Sequence, residues 1–247
     1  MTTPEPRSLA ILAREGYRTR GIIAYVGDSF RLLGENCNPL IIFVALLTVL
    51  FTLMDIIPPG GVVALLLLSP PLYGGFYRYT LKRLRDEEAS SNDLFSGFDR
   101  FVPLVLASLL SSIFIIIGLV LCLLPGVYLA VSYLFTLVLV VDRRLNVWPA
   151  MELSRQLIGR RWWVFFGIGL IFGLISLAVG AAAVVIALVT GLAGGLEELD
   201  SLPLGLNLGV NFINSVLLVL NAGAIASIYH DVVDSAFLEV ADREPSA

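Results

Sequence analysis

The residues that could carry out chemistry are few in this sequence and do not form a catalytic set. The single histidine, His230, cannot build a histidine-rich metal site, and the sequence contains neither a zincin pattern nor a phosphate-binding loop. Ser29 follows Gly27-Asp28, but a hydrolase nucleophile of this kind needs a strand before it, whereas this segment has helical spacing. The sequence therefore predicts no enzyme, no catalytic residue, no cofactor and no metal site.

Amide side chains form a second group of polar residues, in the last apolar segment. Asn207, Asn211, Asn214 and Asn221 are separated by four, three and seven residues, so they fall within an arc of roughly 80° on one helix face. Four amides facing lipid would leave donors and acceptors unsatisfied. We expect either interhelical contacts that stabilise a bundle or a polar path shared with Asp55, and the sequence leaves both open.

Arginine and tryptophan make up the third group. They follow an apolar run and precede another one, and the residues are Arg143, Arg144, Arg155, Arg160, Arg161, Trp162 and Trp163. Indoles favour the membrane interface, and guanidinium groups reach lipid phosphates. These residues are either an ordinary interfacial anchor or a collar that binds anionic lipid headgroups or a partner subunit.

Composition indicates the class of protein that must position these groups. Hydrophobic residues make up 57% of the chain and charged residues 15%, the mean hydropathy is +0.89, and the formal net charge is -4. Soluble domains are typically about 45–50% apolar and about 25% charged. The chain is predicted to be a polytopic membrane protein, with no nucleic-acid partner.

Uncharged runs predict six membrane passes. The run from Phe101 to Val141 would be roughly 60 Å long as one helix, twice a hydrocarbon core of about 30 Å, so we expect a hairpin that turns at Leu124-Pro125-Gly126. The passes are Pro39–Ile57, Val62–Tyr79, 101–123, 126–141, Trp162–Thr190 and Leu204–Tyr229. The fifth is one long tilted helix or is broken near Gly180. In the second, Pro70-Pro71 makes either a packing kink or a discontinuous, substrate-exposed helix.

Charge placement predicts the sidedness of these passes. With six passes, all 16 Lys and Arg residues fall on one side and the opposite loops carry only acids. The positive-inside rule then places both termini in the cytoplasm of a bacterial cell, with the passes in its cytoplasmic membrane. The predicted organisation is a cytoplasmic segment at 1–38, a six-pass domain at 39–230 and a cytoplasmic tail at 231–247.

Three segments beside the passes have the spacing of amphipathic helices. They are Gly21–Glu35, the stretch that follows Asn92 or Asp93 as N-cap, and the stretch after Asn146, in which Val147, Ala150, Met151, Leu157 and Ile158 oppose Glu152, Arg155 and Gln156. We expect each of them to lie on the membrane surface. The predicted fold class is thus all-α, a six-pass bundle with about three interfacial helices.

The central part of the chain resembles a known family. The motifs are "GGFYRYTLKRLRDEEASSNDLFSGFDRF", an apolar hairpin with "LPG", "SYLF" followed by Asp142, and "AMELSRQLIGRRWWVFF". They are similar, in this order and over roughly residues 70–166, to uncharacterised bacterial six-pass proteins related to the membrane domain of glycerophosphodiester phosphodiesterases. The resemblance implies a six-helix membrane fold and no established activity, because the soluble catalytic domain of some relatives has no counterpart here.

Two functions follow as expectations. The first is a non-enzymatic membrane protein that binds lipids, anionic ones above all, or partner subunits, including further copies of itself. The second is a small transporter or lipid-moving protein with a polar path near Pro70-Pro71 and the asparagine face.

Overall fold

The computed structural model describes residues 21–35, 37–57, 60–159, 161–194 and 204–235, and every regular element in these ranges is helical. This confirms the all-α class. The elements are α1 (Ile22–Glu35), α2 (Cys37–Ile56), α3 (Gly60–Leu84), a 3₁₀ helix (Ser91–Arg100), α4 (Phe101–Leu121), α5 (Leu123–Ser132), α6 (Thr136–Asp142), α7 (Val147–Gly159), α8 (Trp162–Gly194), α9 (Leu204–Tyr229) and a π-helical turn (His230–Ser235).

Six helical segments of the described chain are long and apolar enough to cross a membrane. They are Pro39–Ile56, Gly60–Leu84, Ser91–Leu121, Leu123–Asp142, Trp162–Ile186 and Gly205–Val233. Of the last segment 61% is buried, against 17% of the segment in α8. Helix α9 is therefore the central helix of the bundle, and α8 lies at its periphery.

The core forms where α9 packs against α1, α2, α3 and α8. Aromatic rings fill it at one end, where Phe135 lies edge-on to Phe165 at 5.1 Å and to Tyr229 at 5.4 Å between ring centroids. Phe43 stacks on Phe76 at 4.8 Å between α2 and α3. These contacts fix the relative heights of the helices, because each ring pair joins residues far apart in sequence.

Helix α1 packs on α9 through a face that its apolar spacing did not single out. Tyr25 and Ser29 are buried, whereas the apolar Ile23 and Phe30 are 87% and 58% exposed. A Cβ on Gly223 of α9 would lie 3.4 Å from the Ser29 hydroxyl, so small residues at this crossing permit the close approach. The exposed Ile23 and Phe30 remain available to lipid, and the membrane placement of α1 stays a prediction.

Helix α3 is continuous through Pro70-Pro71. Both prolines are buried, and a Cβ on Gly97 of the 3₁₀ helix would collide with the Pro71 carbonyl oxygen. A Cβ on Gly75 would likewise collide with the Leu94 carbonyl. The two glycines thus allow backbone-to-backbone contact, and the alternative of a discontinuous helix at Pro70-Pro71 was wrong.

The N-cap of the 3₁₀ helix lies two or three residues before the predicted caps. Ser90 is its N-cap residue, and the Ser90 amide donates to the Asp93 carboxylate at 2.9 Å. The predicted caps, Asn92 and Asp93, were therefore wrong. Asp93 serves instead as the acceptor that reaches back from the first turn.

The hairpin between the third and fourth apolar segments turns at Cys122, not at Leu124-Pro125-Gly126. Cys122 is extended, with φ -169° and ψ 146°, and α5 begins at Leu123. Pro125 lies in the first turn of α5, where a missing amide costs no helical hydrogen bond. Gly126 supplies close contact instead, because its Cα is 2.9 Å from a Cβ placed on Gly118.

The fourth apolar segment is not one helix, contrary to the prediction for 126–141. It breaks at residues 133–135 into α5 and α6. Ser154 of α7 satisfies the break, because its hydroxyl accepts from the Phe135 amide at 3.1 Å and donates to the Ser132 carbonyl at 2.7 Å. A discontinuous helix does exist in this chain, then, but it lies away from Pro70-Pro71.

Helix α8 runs without interruption from Trp162 to Gly194. The alternative of a break near Gly180 was therefore wrong, and the long single helix is correct. A Cβ placed on Gly180 would meet no atom of another described element within 4 Å. No close crossing at this glycine therefore requires a bend.

The buried face of α7 is the predicted one. Ala150, Met151, Leu157 and Ile158 are buried. They pack on α4, α5 and α6, however, so much of this face is covered by protein.

Candidate functional site

Polar side chains gather at the two ends of α9, and the cluster near its first residue was predicted in part. We call it the outer cluster: Thr52 and Asp55 on α2 with Asn207 and Asn211 on α9. The Asp55 carboxylate oxygen Oδ2 accepts from the Asn211 amide at 3.0 Å and from the Asn207 amide at 3.1 Å. Asn211 also donates to Asn207 Oδ1 at 2.9 Å and lies 3.3 Å from the Thr52 hydroxyl.

Helical geometry explains why these four residues meet. Thr52 and Asp55 are three residues apart on α2, and Asn207 and Asn211 are four apart on α9, so each pair lies on one helix face. Thr52 is 8% exposed, and its hydroxyl donates to the Thr48 carbonyl at 2.8 Å. The Asn211 amide is therefore held between a buried hydroxyl and an exposed carboxylate.

Asn214 and Asn221 lie further along α9, half-buried and outside the outer cluster. The structure thus brings Asp55 together with two of the four asparagines. Among the described residues no group of three or more His, Cys, Asp or Glu side chains could hold a metal ion. A lone carboxylate with amide donors can pair with a cation.

At the other end of α9 lies a cluster that the sequence reasoning missed. We call it the inner cluster: Arg85, Asp142, Arg143 and Tyr229. Arg85 binds the Asp142 carboxylate with both terminal nitrogens, at 2.7 and 3.1 Å. Arg143 Nε lies 2.9 Å from Asp142 Oδ2.

Tyr229 completes the inner cluster. It donates to Asp142 Oδ2 at 2.8 Å and is fully buried. The Asp142 and Arg143 side chains are 10% and 9% exposed. One buried carboxylate therefore binds three side chains from separate parts of the chain, and it can hold α3, α6 and α9 together at this end.

Further ion pairs and hydrogen bonds lie at the same end, which we call the basic end. Lys82 Nζ binds Asp93 at 2.7 Å, and Arg100 donates to the Arg144 carbonyl at 3.3 Å. Arg144 has a φ of 51°, a left-handed turn that a non-glycine residue seldom adopts. The loop after α3, the loop after α6 and the end of α9 thus lie together. This arrangement is what an even number of passes between any two of these points requires.

The predicted collar divides into interior and surface residues. Arg143 points into the inner cluster and is not available to a headgroup. Arg144, Arg161 and Trp163 are exposed, Trp163 by 76%, and Arg160 lies outside the described residues. Trp162 is half-buried because it stacks on Phe166 at 4.9 Å.

Two surface features lie on α7, and only the first, Trp148, was not singled out from the sequence. Trp148, at the start of α7, is 63% exposed and lies edge-on to Phe114 at 6.3 Å. Glu152 accepts from Arg155 and from Gln156 at 2.7 Å. The bonds from Arg155 and Gln156 hold the pKa of Glu152 below its ordinary value, and Glu152 in turn raises the pKa of Arg155. Arg155 therefore belongs to an exposed ion pair.

Ser29 has a structural environment. Its hydroxyl is 2% exposed and donates to the Tyr25 carbonyl at 3.0 Å within α1. His230 faces the neighbouring Asp231 at 3.8 Å. Neither arrangement pairs a nucleophile with a base.

The comparisons with known proteins add no relative. No family model, curated protein or solved structure matches the chain. The resemblance to the six-pass family therefore stays a prediction.

Proposed function

We propose that the chain is a non-enzymatic, multi-pass protein of the bacterial cytoplasmic membrane that binds anionic lipid headgroups at its basic end. The observation that carries the proposal is the exposure of Arg144 and Arg161, each within four residues of an exposed indole, Trp148 or Trp163. Exposed indoles prefer the headgroup region, and nearby guanidinium groups attract anionic lipid. The basic end then faces the cytoplasm, as the positive-inside rule requires.

Burial supports the choice of surface. Trp148 and Trp163 are more than half exposed, although most large apolar groups of soluble proteins find cover. Arg85 and Arg143 belong to the inner cluster, so the arginines on the surface are a separate set. Helix α8 adds exposed apolar side chains that suit acyl chains, among them Leu177 at 68% and Val189 at 63% exposed.

Native mass spectrometry of the detergent-extracted protein tests this proposal. The Arg161→Ala/Trp163→Ala protein is expected to lose most adducts of phosphatidylglycerol or cardiolipin, while adducts of phosphatidylcholine are unchanged. The matched control is Phe30→Ala/Arg31→Ala on α1, which removes an exposed aromatic residue and an exposed arginine elsewhere. Equal lipid binding by the wild type and the Arg161→Ala/Trp163→Ala protein would overturn the proposal.

The same spectra address the choice between lipid and protein partners. A mass of two or more chains that persists in both variants would favour a second copy as the partner. Recovery of a bare monomer without lipid would argue against binding of either kind.

A small transporter or lipid-moving protein is the second candidate, and the outer cluster is the observation that favours it. Asp55 is exposed, yet two amides converge on it and lead to the buried Thr52. A carboxylate so placed could pair with a cation or a headgroup amine. The part of this idea that invoked Pro70-Pro71 loses support, because Gly97 covers the Pro71 carbonyl.

A further inference from the structure

The apolar hairpin of α4 and α5 is held close to the basic end of the bundle. The Tyr128 carbonyl accepts from the Trp162 indole at 3.3 Å, and the two rings stack at 6.2 Å. A Cβ on Gly159 would lie 3.9 Å from the Tyr128 hydroxyl. Tyr128 therefore lies at the height of the first turn of α8.

This contact limits how far the hairpin can reach. Its tip, Cys122, is six residues before Tyr128, or roughly 9 Å along a helix. The length of the Trp162 side chain must be added to this distance, because the indole rather than the backbone contacts Tyr128. Even with that side chain fully extended, the tip stays within roughly 20 Å of the Trp162 backbone. A pass must cover a hydrocarbon core of about 30 Å.

Trp162 itself lies at the basic end. Three residues later Phe165 contacts the same Phe135 ring that Tyr229 contacts, and Tyr229 donates to Asp142 in the inner cluster. From Tyr229 back to Asn207, α9 covers roughly 33 Å, enough for a complete crossing. In an upright bundle the start of α8 would lie beside the end of α6, not beside Tyr128.

The polar edge of α7 gives an independent constraint. Trp148 contacts Phe114 near the middle of α4, and Ser154 is bonded at the break between α5 and α6. Glu152 and Arg155, four and seven residues after Trp148, are exposed on the same side of α7 as that indole. If α4 and α5 stood upright across the membrane, this ion pair would lie among acyl chains, where a charge is costly.

The hairpin nevertheless needs an apolar environment. The exposed residues around its tip are Ile113, Ile116, Ile117, Val120, Leu121, Leu123 and Leu124, from 50% to 80% exposed. In the described chain α3 packs on α4 and α8 packs on α5, yet these residues around the tip remain exposed. The break at residues 133–135 allows α5 to diverge from α6.

We infer that the α4–α5 hairpin enters the bilayer from the basic side and returns to that side without crossing, so that its tip is immersed among the acyl chains of one leaflet. Four helices, α2, α3, α8 and α9, then cross. The inference rests on the membrane placement under the proposed function. Charge distribution does not distinguish the two topologies, because a hairpin that returns to its own side leaves every other loop where six passes would put it.

Cys122 is a native probe of the tip, and it is exposed. In a Cys37→Ser protein it is the single cysteine, since the sequence has two. We expect a membrane-impermeant maleimide to leave Cys122 unlabelled in spheroplasts and in inverted vesicles. Labelling should appear after detergent solubilisation. Two matched proteins, Ile57→Cys and Glu88→Cys in a Cys37→Ser/Cys122→Ala background, report the outer and the basic side.

Labelling of Cys122 from the same side as Ile57→Cys would overturn the inference, because the hairpin would then cross. Labelling from the Glu88→Cys side would also overturn it, since the tip would lie in water. Reversed labelling of the two control proteins would instead contradict the proposed sidedness and leave the depth of Cys122 to be read separately.

Spin labelling at Cys122 in lipid vesicles gives a positive signal for immersion. The nitroxide should be accessible to oxygen and protected from a water-soluble nickel chelate. A nitroxide at Ile57→Cys should show the reverse order. Accessibility of the Cys122 nitroxide to the chelate would contradict immersion.

Discussion

The outer and inner clusters lie at opposite ends of α9, and different information is needed to predict each of them from the sequence. In the outer cluster, Asn207 and Asn211 share a face because of helical periodicity alone, and Asp55 lies at the end of an adjacent apolar run. In the inner cluster, Arg85, Asp142 and Tyr229 come from segments that nothing in the local pattern connects. A periodic pattern reveals which residues share a face, but it does not reveal which distant face they meet.

The two clusters also differ in energy. Asp55 and its amide partners are partly open to solvent, so each hydrogen bond replaces one with water and its net contribution is small. Asp142 is 10% exposed and neutralises arginines that are themselves largely buried. Removing one partner there leaves an uncompensated charge, which typically costs about 3–5 kcal/mol.

The largest expected effect is therefore that of Asp142→Ala. We expect the free energy of unfolding to fall by about 3 kcal/mol, because Arg85 and Arg143 lose their shared carboxylate. Titration with a denaturing detergent, followed by circular dichroism, measures this change. Asp55→Ala is the matched control, and its expected cost is about 1 kcal/mol or less. Similar losses in the two proteins would erase the distinction between the clusters.

Ser154→Ala tests whether another tertiary contact, that of α7 with the break between α5 and α6, makes a similar contribution to the free energy of unfolding. Loss of the hydroxyl leaves the Phe135 amide and the Ser132 carbonyl unpaired in a buried place, at a cost of about 2 kcal/mol. Ser132→Ala is the control, because the Ser132 hydroxyl bonds only within its own helix, to the Tyr128 carbonyl. A Ser154→Ala protein as stable as Ser132→Ala would show that water replaces the two hydrogen bonds of the Ser154 hydroxyl.

Tyr229→Phe removes one hydrogen bond from the inner cluster and keeps the ring against Phe135. A hydrogen bond to a charged group typically contributes about 1.5–3 kcal/mol, and two arginines remain on Asp142, so we expect the lower end of that range. The same detergent titration measures the loss. A Tyr229→Phe protein that lost as much stability as Asp142→Ala would mean that the tyrosine hydroxyl, rather than the two arginines, supplies most of the stabilisation around Asp142.

Much of the fold could be predicted, and the failures have physical causes. The apolar runs predicted the long helices because burial in lipid requires apolar length. The break before Thr136 was invisible, because the Ser154 hydroxyl that makes it tolerable lies in another helix. The turn was placed at Pro125 because proline ends helices, but proline also suits the first turn of one.

The candidate sites likewise divide into residues that a regular spacing identifies and residues that it does not. Asp55 and the asparagine face could be identified because their spacing is regular within one helix. Arg143 was assigned to the surface because it neighbours Arg144, and adjacent helix-end residues point in different directions. Trp148 was missed because a single exposed indole has no periodic signature.

Within the outer cluster, substitution of single asparagines by leucine separates a structural role from a path. Asn211→Leu removes the bonds to Asp55 and Asn207, and interhelical amide bonds contribute about 0.6 kcal/mol each. We expect a measurable loss of thermal stability for Asn211→Leu and a smaller one for Asn214→Leu, which lies outside the cluster. A path predicts instead that lipid transfer between vesicles fails in both proteins while stability is kept.

The smallest expected effect concerns Glu152 and Arg155, an exposed pair that belongs to neither cluster. Because hydrogen bonds from Arg155 and Gln156 lower the pKa of Glu152 in the folded state, the pair stabilises the fold above the ordinary carboxyl pKa of 4.5. That contribution is lost as the pH falls through the lowered pKa. The Arg155 side chain is 45% exposed and the Glu152 side chain 40%, so we expect about 0.3–0.5 kcal/mol at neutral pH. Thermal unfolding of the wild type and of Arg155→Ala should differ at pH 7 and converge at pH 3, whereas a constant difference at both pH values would assign the effect of Arg155 to packing of its aliphatic stem.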